Sequence, residues 1–131
     1  AGEHNDCVAM AKQFADRTHF VHLRSCYIFP NGNFTEASHL GGRGHLIELC
    51  RIFEKAEQEG KCNSGRRLPM RVDHGMTFTD EPGGVFDESN HGHNAGYTLL
   101  GRMFAMGQIQ GVIATVDDEL GIEYKQPGFY D

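Results

Sequence analysis

Arg71-Val72-Asp73-His74-Gly75, read together with His19-Phe20-Val21-His22-Leu23-Arg24 upstream, decides the fold. Each stretch sets ionisable side chains at or just past the end of a short apolar run. Phe20, Val21 and Leu23 form one run; Leu68, Met70 and Val72 form the other. Runs of this length and β-branched or aromatic character predict buried strands over about Thr18 to Leu23 and about Leu68 to Val72. A parallel strand that ends in His, Arg or Asp carries those groups to the carboxyl edge of its sheet, where α/β folds keep their sites. A neutral imidazole and a carboxylate arriving there together are ordinary ligands for a divalent transition metal.

Working outward, Asn5 or Asp6 can cap a first helix running to about Asp16, with Val8, Ala11 and Phe14 at helical spacing. Ser25 to Gly44 reads as a long polar, Gly-rich connection with a turn signal at Pro30-Asn31-Gly32-Asn33. Leu46, Leu49, Cys50, Phe53 and Ala56 make one apolar stripe among charged neighbours, an amphipathic helix ended by Gly60. A basic surface loop from Lys61 to Arg67 leads into the second strand, and a second long loop follows from Met76 to Asn94. The last helix is predicted over about Tyr97 to Leu120, with Leu99, Leu100, Met103, Met106 and Ile109 turned inward and its Met residues in the core. Gly101, Gly107 and Gly111 would let neighbouring backbone approach, at some cost in helix propensity. The order α-β-α-β-α, with long loops after both strands, gives an α/β class and two consecutive β/α units of a parallel sheet. Two parallel strands do not cover their own faces and edges. A full (β/α)8 barrel takes about 250 residues. At 131 residues the chain reads as part of one barrel domain.

The net charge of −6 argues against broad affinity for nucleic acid or an anionic membrane surface. The sequence reading finds no apolar run near the ~18 residues of a membrane span, and no signal peptide. Ala1 in place of an initiating Met suggests a processed chain or one cut from something longer. Cys7, Cys26, Cys50 and Cys62 show neither CxxC pairing nor zinc-finger spacing, so idle or buried thiols in a reducing cytoplasm are expected.

Within the first strand Phe20, His22 and Arg24 share one face, opposite His19, Val21 and Leu23. His22 is either a metal ligand or a hydrogen-bonded structural histidine. Asp73 is either a ligand or a cap for the turn that Gly75 permits. Glu36 and His39, in Phe34-Thr35-Glu36-Ala37-Ser38-His39-Leu40, sit in a loop above the same edge, within reach of a substrate or simply solvated. His91 and His93 read as exposed polar filler in a Gly/Asn-rich loop. Tyr97 starts a helix, pointing at the site or packing beneath it.

Five segments in this order resemble the mannonate dehydratases: His19 to Ser25, Phe34 to Leu40, Pro69 to Gly75, Asn94 to Tyr97 and Gly101 to Gly111. The resemblance implies a (β/α)8 barrel of the xylose-isomerase type, with this chain as its carboxyl-terminal third. It also implies dehydration of D-mannonate, a sugar acid of hexuronate catabolism, to 2-dehydro-3-deoxy-D-gluconate. The family's iron(II) or manganese(II) is held by a His, a Cys, a second His and an Asp. The second His falls on His22 and the Asp on Asp73; the first two ligands have no counterpart here, Cys7 and Cys26 matching neither. The family's proton-transfer pair falls on His74 and Tyr97. The chain departs from the family at Val72 and Ala95, where Pro is usual, and at Arg43 and His45, where acidic residues are usual.

Such an elimination needs a Lewis acid for the charge that develops beside the carboxylate, a base for the proton and an acid for the departing hydroxyl. Arg24 could pair with a carboxylate, with Glu36 and His39 as further substrate contacts. A sugar isomerase on a related metal barrel and a non-catalytic fragment are the alternatives. Exposed barrel faces would make the fragment associate with itself or with the missing part of the barrel.

Overall fold

In the computed structural model, residues 5–76 and 99–124 are described. Helix α1 (Cys7–Phe14) starts at Asp6, whose carboxylate accepts hydrogen bonds from the amides of Val8 and Ala9 at 3.0 Å. A single 3-10 turn, Ala15–Arg17, carries the chain on to strand β1 (Val21–Leu23). Strand β4 (Met70–Val72) pairs with it in parallel, with Val21 opposite Met70, His22 opposite Arg71 and Leu23 opposite Val72. The ladder is shorter than the apolar runs suggest. It is also buried on one face only: Val21, Leu23 and Val72 face the core while His22 and Arg71 are exposed.

The connection after β1 is more ordered than its composition predicts. Strands β2 (Cys26–Ile28) and β3 (Phe34–Glu36) form an antiparallel hairpin across it, with Cys26 opposite Glu36 and Ile28 opposite Phe34. The turn was legible: the Phe29 amide donates to the Asn33 carbonyl at 2.8 Å, and Asn31 Oδ1 accepts from the Asn33 amide at 2.9 Å. The flanking strands were not, because three half-buried residues each carry no readable period.

Helix α2 (Leu46–Gln58) buries Leu46, Cys50, Phe53 and Ala56, with Leu49 partly buried beside them. These are four of the predicted stripe and its fifth member at the margin. His45 stands at its N-cap in the left-handed region (φ 48°) and makes no capping bond. The helix ends where Gly60 takes φ +66°, a conformation without steric cost for glycine.

Helix α3 (Leu99–Leu120) corrects the expected inward face. It buries Gly101, Ala105, Ile109, Val112, Val116 and Asp117, whereas Leu99 is 72% exposed, Met103 60%, and Leu100 and Met106 are exposed too. Of the predicted set only Ile109 is core. The helix is apolar nearly all round, so hydrophobic spacing does not choose its face; the small residues do, by allowing close approach to α2 and β4. Gly101 meets Gly75: a Cβ on Gly75 would lie 2.4 Å from the Gly101 carbonyl oxygen. Gly107 and Gly111, expected to serve the same purpose, face open space. By length and composition α3 is apolar enough to cross a membrane, which corrects the sequence reading on that point. Its buried stripe nevertheless packs on α2 as part of one core with β1 and β4.

Candidate metal and proton-transfer site

The parallel register delivers ionisable groups to one end of the ladder. His22 lies in the middle of β1 and Asp73 directly follows β4, where its amide donates to the Leu23 carbonyl at 3.0 Å. That bond fixes the height of Asp73 against β1. His22 Nδ1 then stands 3.6 Å from Asp73 Oδ1. Two ligands of one cation, each at about 2.1 Å, span such a separation comfortably. The donor chemistry and the spacing therefore fit a divalent transition metal as two members of a ligand set. Among the described residues, no group of three or more His, Cys, Asp or Glu side chains is placed to hold a metal.

The hairpin brings Glu36, the last residue of β3, over this edge. Its carboxylate takes the Arg24 guanidinium in a forked pair, with Nε to Oε2 at 3.3 Å and a closer contact from Nη2 to Oε1. The third guanidinium nitrogen, Nη1, faces Asp73 Oδ2 at 3.8 Å. The hydrogen bond to Glu36, ahead of the opposing effect of burial, holds Arg24 above its ordinary pKa and so firmly charged. His74, with its side chain 8% exposed, sits between two carboxylates: Nδ1 lies 3.8 Å from Glu36 Oε1 and Nε2 lies 3.8 Å from Asp73 Oδ2. Cys26 is near the cluster, but burial and the charge of Glu36 push its thiol pKa up.

Five residues singled out in the sequence thus converge: His22, Arg24, Glu36, Asp73 and His74. His39 does not join them. It is 2% exposed, with Nε2 against the Leu23 carbonyl at 3.0 Å. Tyr97, His91 and His93 lie outside the described residues. Two aromatic contacts escaped the sequence reading. Phe20 meets the His22 ring edge-on, with centroids 4.7 Å apart, and Arg24 lies over the Phe34 ring at 5.3 Å. The recurrence of Phe two residues before a site residue, at Phe20 and Phe34, was the available signal. Gln108 was missed as well; its side-chain oxygen accepts from the His39 amide at 2.9 Å, and a Gln on an apolar helix gives no hint of this.

Comparison with known proteins agrees with the motif order. The chain is 37% identical over 118 residues to mannonate dehydratase 2 of Agrobacterium fabrum, covering 88% of this chain and 28% of that protein. It is 35% identical over 115 residues to the mannonate dehydratase of Saccharophagus degradans, covering 86% and 28%. A mannonate dehydratase of Brucella canis is 32% identical over 114 residues, covering 86% and 26%. The chain therefore spans little more than a quarter of the length of the curated relatives it matches. The family model for D-mannonate dehydratase matches residues 1–122, nearly the whole chain. With ligand-type side chains converging within that match, the chain belongs to the D-mannonate dehydratase family.

Proposed function

We propose that this chain is the carboxyl-terminal part of a (β/α)8 barrel hydro-lyase that dehydrates D-mannonate to 2-dehydro-3-deoxy-D-gluconate in the cytoplasm. In this reading the isolated 131 residues, holding only part of the ligand set, are inactive. The observation that carries the proposal is the 3.6 Å approach of His22, within β1, to Asp73, just past the end of its parallel partner β4, with His74 beside them. The names of the relatives support the same chemistry. The sugar-isomerase alternative has no comparable support.

His22 and Asp73 would hold iron(II) or manganese(II) together with ligands from a longer polypeptide. The bound ion supplies Lewis-acid stabilisation of the negative charge that develops beside the substrate carboxylate. His74 moves a proton: its imidazole, bracketed by Glu36 and Asp73, can accept one on a ring nitrogen and return it. Tyr97, by family resemblance, is its partner in proton transfer. Arg24 keeps Asp73 oriented through Nη1, the guanidinium nitrogen placed to meet an incoming carboxylate, while Glu36 fixes the other side of the fork.

The test separates ligand from proton carrier in the full-length enzyme. Asp73→Asn is expected to lower bound iron or manganese by elemental analysis. His74→Asn is expected to keep the metal and lose keto-acid formation from D-mannonate by at least about a hundredfold, within the range of general acid–base effects. Near wild-type turnover in His74→Asn, or full metal occupancy in Asp73→Asn, overturns the corresponding assignment.

A further inference from the structure

The Leu23 carbonyl is the meeting point of three segments. It accepts from the Asp73 amide at 3.0 Å, tying β4 to β1, and from His39 Nε2, also at 3.0 Å, tying in the segment after the hairpin. The His39 amide in turn donates to Gln108 Oε1 at 2.9 Å, so helix α3 is fastened to the same point. Leu23 lies between His22 and Arg24 in sequence, and Asp73 holds the other half of the contact. Any rotation of the peptide after Leu23 therefore moves Arg24 and disturbs the distance between His22 and Asp73. His39 is buried and well placed to prevent that rotation. A carbonyl partner requires a proton on Nε2, so this nitrogen is the donor. Among the described residues Nδ1 has no hydrogen-bond partner, which leaves the ring anchored by Nε2 alone.

We propose that His39 is not a substrate contact but a positioning residue, which clamps the Leu23 carbonyl and so sets the His22–Asp73 pair for a divalent metal. This rests on the metal-dependent reading given above. Groups hydrogen-bonded directly to a metal ligand alter metal affinity about 10–100-fold when lost, and His39, one hydrogen bond further out through the Leu23 carbonyl, belongs at the low end of that range. The clamp needs an N–H donor at the position of Nε2 and nothing else from the ring, so a glutamine amide can replace it.

The experiment measures manganese(II) affinity of the full-length enzyme by chelator competition, for wild type, His39→Leu, His39→Gln and Gln108→Met. The expected result is about a tenfold weaker affinity in His39→Leu, recovery to within about threefold in His39→Gln, and an intermediate loss in Gln108→Met. Unfolding in urea, measured beside it, should show both His39 variants folded. A folded His39→Leu enzyme with wild-type manganese affinity overturns the proposal. So does a His39→Gln enzyme no better than His39→Leu. Should His39→Leu fail to fold, His39→Gln and Gln108→Met decide alone: near wild-type affinity in His39→Gln beside a weakened Gln108→Met supports the clamp, and about a tenfold loss in His39→Gln or an unchanged Gln108→Met overturns it. A wild-type enzyme that binds no manganese, or binds it equally well as Asp73→Asn, instead defeats the underlying metal reading.

Discussion

Glu54 of α2 and Asp117 of α3 form a hydrogen-bonded carboxyl pair, and the pair makes the helix interface sensitive to pH. Asp117 is 5% exposed, and its Oδ1 has no hydrogen-bond partner among the described residues. Burial first, then the charges of Asp117 and Glu57, raise the Glu54 pKa from 4.5 to about 7, with Arg67 opposing the rise. Burial raises Asp117 as well. A carboxyl group that holds its proton more tightly folded than unfolded stabilises the fold below the unfolded pKa. That contribution is lost as pH rises through the folded value. The window here runs from about pH 4.5 to about 7. At 1.36 kcal/mol per pH unit the full span converts to about 3 kcal/mol for a fully buried group. Glu54 is only half-buried, and solvent screening reduces the figure to on the order of 1–2 kcal/mol. Glu54→Gln keeps an N–H donor for Asp117 and removes the titration. It should therefore gain about 1 kcal/mol over wild type at pH 8 and little or nothing at pH 5. Urea unfolding of both proteins at pH 5, 6, 7 and 8 checks this, and the difference between them cancels the titrating histidines. A difference that is flat with pH, or a variant less stable than wild type at pH 8, refutes the reasoning.

Gly75→Ala should cost about 1–3 kcal/mol, because its Cβ would fall 2.4 Å from the Gly101 carbonyl oxygen and 2.8 Å from the Arg102 amide, both backbone atoms that move only with the helix. Denaturant unfolding measures it, and a neutral substitution would mean that α3 is not seated on Gly75. The exposed Leu99, Leu100, Met103 and Met106 side chains form an apolar face on α3, so the 131-residue chain should associate as its concentration rises. Sedimentation velocity on this chain and on Met103→Glu tests this; a wild-type chain that stays monomeric at high concentration contradicts it.

The chemistry of the site was more legible than the packing that supports it. His22 and Asp73 could be paired from sequence because each ends an apolar run, and a parallel ladder brings such ends together. Helix α2 was equally plain, since its charged flanks leave only one apolar stripe. Helix α3 defeated the same method: with large apolar residues on every side, its contact face is chosen by the shapes of Gly101 and Ala105, not by hydrophobicity. The hairpin escaped because its strands are three residues long. His39, read in sequence as a loop residue in reach of substrate, lies buried with its ring on the Leu23 carbonyl and its amide on Gln108.

The hairpin separates two kinds of inheritance within one site. His22 and Asp73 arrive on the parallel ladder, whose register any insertion would break. Glu36, Phe34 and His39 arrive on the hairpin and the segment just after it. That excursion begins and ends outside the ladder, and its turn at Pro30 to Asn33 can lengthen, shorten or change composition without shifting the β1–β4 register. Evolution could thus retune the surroundings of the two ligand-type residues by editing the hairpin's turn and outer residues while the ladder and its His39 clamp stay in place, a modularity that makes this edge adaptable.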